Sequence, residues 1–187
     1  MLCRRLYSVL VSPSGTEGAA VFSFLCTMQF NEQTWQQDAE KKKKENKQFL
    51  DRTKRMRGLE KHLPDLHDEA FSKISCLKCA NCCKTISPRF KTPDIVRISK
   101  WMGMKQSAFI ETYLRLDEDG DYVVKKSPCP FLDADNYCGI YDVRPGDCKN
   151  YPYTDSGEFF DHPNTTFKNS TTCPAVFYVL ERLKEIV

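Results

Sequence analysis

Four thiols fall within eight residues at Cys76-Leu-Lys-Cys79-Ala-Asn-Cys82-Cys83. No packing requirement of an apolar core asks for that density. A two-residue gap lets the chain turn so that both sulfurs face one point, the bite used by tetrahedral zinc sites and iron-sulfur clusters. Cys82 and Cys83 are adjacent, and neighbouring side chains diverge, so they suit two metals or one larger cluster better than a single mononuclear ion. Four more cysteines follow at Cys129, Cys138, Cys148 and Cys173. Eight thiols suffice for two four-ligand sites, or for one polynuclear site with spare ligands.

Disulfides are the competing use of so many cysteines in a small chain. Near neighbours in CxxCxxCC would be forced into strained or scrambled pairings, and no export signal argues for an oxidising compartment. Metal is therefore the favoured reading, with Cys76, Cys79, Cys82, Cys83, Cys129, Cys138, Cys148 and Cys173 as ligands. Cys76, Cys79 and Cys82 have the spacing of the first three ligands of a bacterial ferredoxin, whose remote ligand is followed by proline. Both Cys129-Pro130 and Cys173-Pro174 have that form. Cys83 interrupts the ferredoxin spacing, and zinc held by four cysteines tolerates long separations between ligand pairs. The cofactor is thus expected to be zinc or iron, with an iron-sulfur cluster as one form of the latter.

The 187 residues, 41% hydrophobic and 28% charged, describe one modest domain with appendages. The net charge of +3 counts thiols as neutral, and ligating thiolates would carry it toward zero or below. Charge is unevenly placed. Residues 41 to 57 hold nine Lys or Arg against Glu45 and Asp51, whereas the acids crowd residues 117 to 162. The basic run could meet nucleic acid, an acidic lipid surface or the acidic half of its own chain. A solvated or internally docked helix face is favoured, because no aromatic platform beyond Phe49 is interleaved with the charges.

Residues 1 to 27 carry Arg4 and Arg5 and two apolar stretches too short to cross a bilayer. They read as an unstructured tail or as sequence upstream of a start at Met28, and Cys3 and Cys26 are not expected to be ligands. A cytoplasmic location is expected, with no membrane contact. Residues 28 to 69 read as a charged helical extension. From Glu32 to about Leu63 strong helix formers dominate, with a broken apolar stripe of Trp35, Ala39, Phe49, Leu50, Met56, Leu59 and Leu63 that suits docking on a domain edge. A shorter helix over Pro64 to Lys73 leads into the cysteines, which belong to a third segment, residues 70 to 187.

Thr92-Pro93-Asp94 opens a helix and Gly103 stops it, with Ile95, Ile98, Trp101 and Met102 on its core face. A further helix over Gln106 to Leu114 presents Phe109, Ile110 and Tyr113. Leu114 to Leu116 and Tyr122 to Lys125 flank Asp117-Glu-Asp-Gly-Asp as a β-hairpin. A second turn falls at Asp133-Ala-Asp-Asn. Arg144-Pro145 starts a short helical turn carrying Cys148, and the last helix starts at Cys173-Pro174. The fold class is α+β and mostly helical: a small metal-stapled domain with one or two short hairpins and a long polar N-terminal helix. Phe131, Phe159, Phe160, Phe167 and Phe177 are its expected core.

CxxCxxCC, Cys129-Pro-Phe-Leu, Cys138-Gly-Ile-Tyr141, Arg144-Pro145-x-x-Cys148 and Tyr151-Pro152 together resemble the YkgJ-like cysteine-cluster family over roughly residues 70 to 187. The resemblance implies a zinc- or iron-chelating domain with no assigned reaction. Flagellin lysine N-methylases share the cluster, so a protein-methylase-like enzyme is one alternative, and a nucleic-acid or ribosome-associated factor with a structural metal is another. The chain has no strand followed by a glycine-rich turn that would hold a methyl donor. Of three histidines, His67 precedes the cluster by nine residues and reads as a packing residue rather than a ligand. Arg144 has two readings: a guanidinium offsetting thiolate charge, or a partner of Asp142 or Asp147. Tyr141 and Tyr151 are read either as hydrogen-bond donors to sulfur or substrate, or as core.

Overall fold

A computed structural model describes residues 30–187. The expectations for residues 1 to 27, Cys3 and Cys26 included, lie outside the described residues. The polar helical stretch is realised as two helices, α1 (Trp35–Lys41) and α2 (Lys43–Thr53), joined at Lys42. It ends ten residues earlier than the helix formers suggest. The Thr53 hydroxyl turns back to donate to the Leu50 carbonyl at 2.8 Å, a local bond that competes with helix propagation, and Gly58 adopts φ +80° in the loop that follows. One 3-10 turn (Glu60–His62) then leads into α3 (Leu63–Lys73).

The apolar stripe does more than dock on an edge. Phe49 and Leu50 of α2 and Leu63, Leu66 and Ala70 of α3 are buried against Val176, Tyr178, Val179, Leu180 and Leu183 of the last helix, α11 (Pro174–Ile186, introduced in chain order below), and Phe159. Trp35 and Ala39 of α1 close on Phe177 of the same helix. Each of these large side chains contributes about 1.5–3 kcal/mol by leaving water. Met56 alone of the stripe stays exposed.

After α3, two short helical turns carry the clustered thiols: α4 (Cys76–Cys79) and α5 (Asn81–Thr85). Ala80 links them in the left-handed region, at φ 45° and ψ 19°. Then come α6 (Thr92–Trp101), α7 (Gln106–Tyr113) and the antiparallel pair β1 (Leu114–Leu116) and β2 (Tyr122–Val124), paired Leu114↔Val124, Arg115↔Val123 and Leu116↔Tyr122. The Asp117 carboxylate accepts the backbone N–H groups of Asp119 and Asp121 and so closes the turn. The second expected hairpin is reduced to a single bridge, Leu132↔Cys138. Three short helices, α8 (Gly146–Asn150), α9 (Glu158–Asp161) and α10 (Pro163–Asn169), precede α11.

A second core gathers Phe90, Ile95, Ile98, Phe109, Leu114, Val124, Phe131 and Ile140. Phe109 and Phe131 stack in it with ring centroids 6.2 Å apart. Trp101, expected on the core face of α6, is instead 56% exposed: one position beyond Lys100, it lies past the Ile95–Ile98 ridge, and Met102 takes the inner place. The five phenylalanines expected in one core are divided among three clusters. The chain is a small, mostly helical α+β fold, and no helix among the described residues is long and apolar enough to cross a membrane.

Candidate metal centre

Three of the thiols are packed against the two large cores. Cys173 packs against the helical core, and Cys129 and Cys138 pack against the second. All eight are free thiols. The sulfurs of Cys82 and Cys83 are 4.0 Å apart. Among the described residues, no three Cys, His, Asp or Glu side chains are closed around one coordination point.

Local folding explains how distant parts of the chain are tied together. Cys76 and Cys79 are three apart in one helical turn and share a face. The Asn81 amide donates to the Thr172 carbonyl at 2.7 Å, which ties the start of α5 to the residue before Cys173. The Cys129 N–H donates to the Cys83 carbonyl at 2.8 Å. Asn136, in the second turn, donates to the Leu77 carbonyl at 2.7 Å.

Nearby backbone N–H groups ease the ionisation of three thiols: that of Phe131 for Cys129, that of Ile140 for Cys138, and those of Ala175 and Val176 for Cys173. Each donor lies two or three residues beyond its cysteine, and for Cys173 the opening turn of α11 supplies them. Such donors favour a negative sulfur. Burial opposes them and wins: it pushes Cys129 up to about 11 and Cys173 to about 12. Burial and the neighbouring Cys83, Cys129 and Cys138 push Cys148 up to about 12 as well. Between the adjacent pair, whose sulfurs are 4.0 Å apart, the contact raises the Cys82 thiol and lowers that of Cys83. Thiols that are costly to ionise alone become good ligands once a cation neutralises them.

Tyr151 adds a second sign of an anionic or metal-bearing site. Its hydroxyl is buried with no partner of hydrogen-bond geometry among the described residues, and burial, then the Cys173 and Cys82 thiols, push it well above its ordinary range. A buried orphan hydroxyl next to sulfur is a donor in want of an acceptor. Thiols beside a buried hydroxyl have the chemistry a thiophilic cation takes, but among the described residues their positions do not close on one point.

Arg144 pairs with neither Asp142 nor Asp147. Its guanidinium stacks on Tyr141 at 3.8 Å from the ring centroid and donates to the Tyr141 carbonyl, within electrostatic reach of Cys76 and Cys138, whose ionisation it favours. Asp147 is held instead by Arg89 at 3.2 Å. His67 lies in no thiol group and hydrogen-bonds Thr154 at 2.8 Å.

Residue types and spacing alone did not single out Asp94 and Arg97. Asp94 is 6% exposed. It accepts from Lys91 N–H at 3.0 Å, Arg97 at 2.7 Å and Gly146 N–H at 3.3 Å, while Arg97 also donates to the Arg144 carbonyl at 2.9 Å. Together they fix the turn that delivers Cys148. The only signal in the sequence was an acid three places before an arginine at a helix start, which reads equally well as a surface pair. A recess of about 420 Å³ opens beside Tyr151, lined by His67, Lys149, Tyr153, Asp155 and Glu158 among others.

A small, mostly helical α+β fold with eight free thiols, four of them in the CxxCxxCC run, defines a cysteine-rich class of protein. The chain belongs to the CxxCxxCC family, described as a "putative zinc- or iron-chelating domain", whose model matches residues 75–174. The match starts one residue before Cys76 and ends one residue after Cys173, so it spans all eight thiols. Comparison with curated proteins and with solved structures finds no match. Metal chelation is the family's general property; zinc and iron are both within its description.

Proposed function

We propose that this is a metal-binding protein in which Cys76, Cys79, Cys82, Cys83, Cys129, Cys138, Cys148 and Cys173 hold zinc or iron, with an iron-sulfur cluster as one form of the latter. The observation that supports this reading is eight free thiols within the residues that the family model matches, with Cys173 packed on one core and Cys129 and Cys138 on the other. The protein places the ligands, donates hydrogen bonds to the sulfurs and covers the site with Tyr151. The metal, when bound, joins parts of the chain that apolar packing leaves in separate cores. Residues 70 to 187 form the chelating unit, and within the extension from residue 28 to 69 helices α1, α2 and α3 pack on its last helix.

The recess beside Tyr151 supports a second reading, an enzyme that acts on a substrate next to the cluster, as a protein lysine N-methylase would. A nucleic-acid role has less support, because five of the nine basic residues of the run pair within the chain: Lys41 with Asp38, Lys42 with Glu181, Lys43 with Glu40, and Lys47 and Lys54 with Asp51. Anaerobic purification with metal and sulfide analysis tests the leading reading. A brown protein with charge-transfer absorption and acid-labile sulfide means iron-sulfur, and a colourless one with stoichiometric zinc means a zinc site. Full metal retention in both Cys79→Ser and Cys148→Ser would remove these cysteines from the ligand set.

A further inference from the structure

We propose that copies of this chain associate head to tail, the basic loop after α2 of one copy docking on the acidic tip of the β1–β2 hairpin of the next. The contact is independent of whether the cysteines bind metal.

The loop and the tip are opposite in charge and alike in build. Residues 52 to 61 hold Arg52, Lys54, Arg55, Arg57 and Lys61 against Glu60 alone, and residues 116 to 121 hold Asp117, Glu118, Asp119 and Asp121 with no basic residue. Each carries an exposed apolar side chain. Met56, 39% exposed, lies between Arg55 and Arg57, and Leu116, 57% exposed, lies beside the Asp117 turn. An apolar contact inside a rim of charge is the anatomy of a protein interface, and methionine adapts to the surface it meets. Residues 52 to 61 include no aromatic on which a base could stack, so the loop suits carboxylates better than single-stranded RNA.

Neither pole is neutralised within the chain. Lys54 is held by Asp51 at 3.4 Å, and the Arg52 guanidinium lies over the Phe49 ring at 5.9 Å. Asp121 pairs with Arg89 at 3.6 Å. Arg55, Arg57 and Lys61 make no ion pair among the described residues, and neither do Glu118 and Asp119. The basic run does not meet the acidic half of its own chain either: its ion pairs go to Asp38, Glu40, Asp51 and Glu181, none of which lies within residues 117 to 162.

Both surfaces are held in place, on different cores. Leu50 and Leu63 anchor the loop in the helical core, and Leu114 and Val124 anchor the hairpin in the other. Thr53 and Leu59 are buried at the base of the loop, and the Asp117 carboxylate accepts two backbone N–H groups within the tip. Surfaces already ordered lose little freedom on binding. Loop against loop and tip against tip repel, so the pairing that remains is heterologous and leaves one free pole at each end. A loop and a turn bury little area, which makes the contact weak and reversible.

Sedimentation of the full-length protein, under reducing conditions that exclude intermolecular disulfides, is the test. At about 0.01 M salt, where the Debye length is about 30 Å, the mean mass is expected to rise with protein concentration beyond that of a dimer. At about 1 M salt, where that length is about 3 Å, only monomer is expected. Arg55→Glu/Arg57→Glu and Glu118→Lys/Asp119→Lys are each expected to remain monomeric alone at low salt. Their equimolar mixture is expected to form a one-to-one dimer and grow no further, because the intact tip of the first meets the intact loop of the second. If a variant fails to fold, the salt series on the unaltered chain decides the matter. A wild type that stays monomeric at low salt, stops at a dimer, or associates equally at high salt would overturn the proposal. So would a loop variant that associates like the wild type but loses affinity for polyuridylic acid, an outcome that gives the loop to nucleic acid instead.

Discussion

The two halves of this molecule are held together by different physics. The helical half buries thirteen residues in one cluster, among them Phe49, Tyr178, Leu180 and Leu183, against eight in the half built from α6, α7 and the hairpin. It is also laced with ion pairs. Glu181, 5% exposed, takes Lys42 at 2.5 Å and Lys184 at 2.7 Å. The smaller half has short strands, one bridge where a second hairpin was expected, and two thiols, Cys129 and Cys138, packed against its core. The difference teaches that one half can stand on apolar burial, while the other depends on whatever joins its cysteines.

Stripping metal under reducing conditions is the strongest way to break that comparison, since a structural metal is worth on the order of 10 kcal/mol. Amide exchange is expected to quicken in α6, α7 and β1–β2 while α3 and α11 keep their protection. Equal loss in both halves would mean that they form one cooperative unit. The converse variant, Leu180→Ala, is expected to cost about 2–5 kcal/mol by opening a cavity, read as a lowered denaturant midpoint with metal content unchanged. Loss of metal in parallel would show that the helical half also sets the site.

Asp94→Ala probes the smaller half from within. Removing the acceptor of Arg97 and of two backbone N–H groups is expected to cost about 1–3 kcal/mol and to speed alkylation of Cys148. An unchanged alkylation rate would mean that the turn holds without its clamp. In the helical half, burial raises the Glu69 carboxyl, but hydrogen bonds from Tyr178, Lys73 and Arg182 outweigh it and hold the group at about 2. Its folded value is depressed, so its stabilisation is present above about 4.5 and fades as pH falls toward 2. Because this carboxylate is partly open to water, Glu69→Gln is expected to cost only about 1 kcal/mol at pH 7, and nothing by pH 2. A pH-independent difference between the two proteins would assign the effect to packing. The smallest effect is expected at Lys41, Lys43 and Lys44: neutralising all three should shift stability by less than about 0.5 kcal/mol. A salt-dependent affinity for RNA that this change abolishes would revive the nucleic-acid reading.

The starts of α6 and α11, the Asp117 turn and the thiol-bearing turn at Cys148 were legible because proline, glycine and capping acids act locally. The division of the core was not. Phe131, Phe159 and Phe177 look alike in a sequence, and only long-range packing sends them to three places. The same holds for the cysteines. The spacing named all eight cysteines but left both Cys-Pro pairs open as the remote ligand, because the bonds that bring the chain together there, Asn81 to Thr172 and Cys129 to Cys83, join residues far apart in sequence. Trp101 failed for a geometric reason: at about 100° per residue Ile95, Ile98 and Met102 share one narrow stripe, and Trp101 lies about 60° off its edge.

Ala80 gives the motif a hidden spelling rule. Its left-handed backbone, between α4 and α5, is strained for any residue with a Cβ and worst for a branched one. At 5% exposure it also has no room for a long side chain. The second gap of CxxCxxCC is therefore not a free pair of letters in this chain. Glycine would sit there at ease and asparagine would be tolerated, whereas valine or isoleucine would force the two helical turns apart and carry Cys82 and Cys83 away from Cys76 and Cys79.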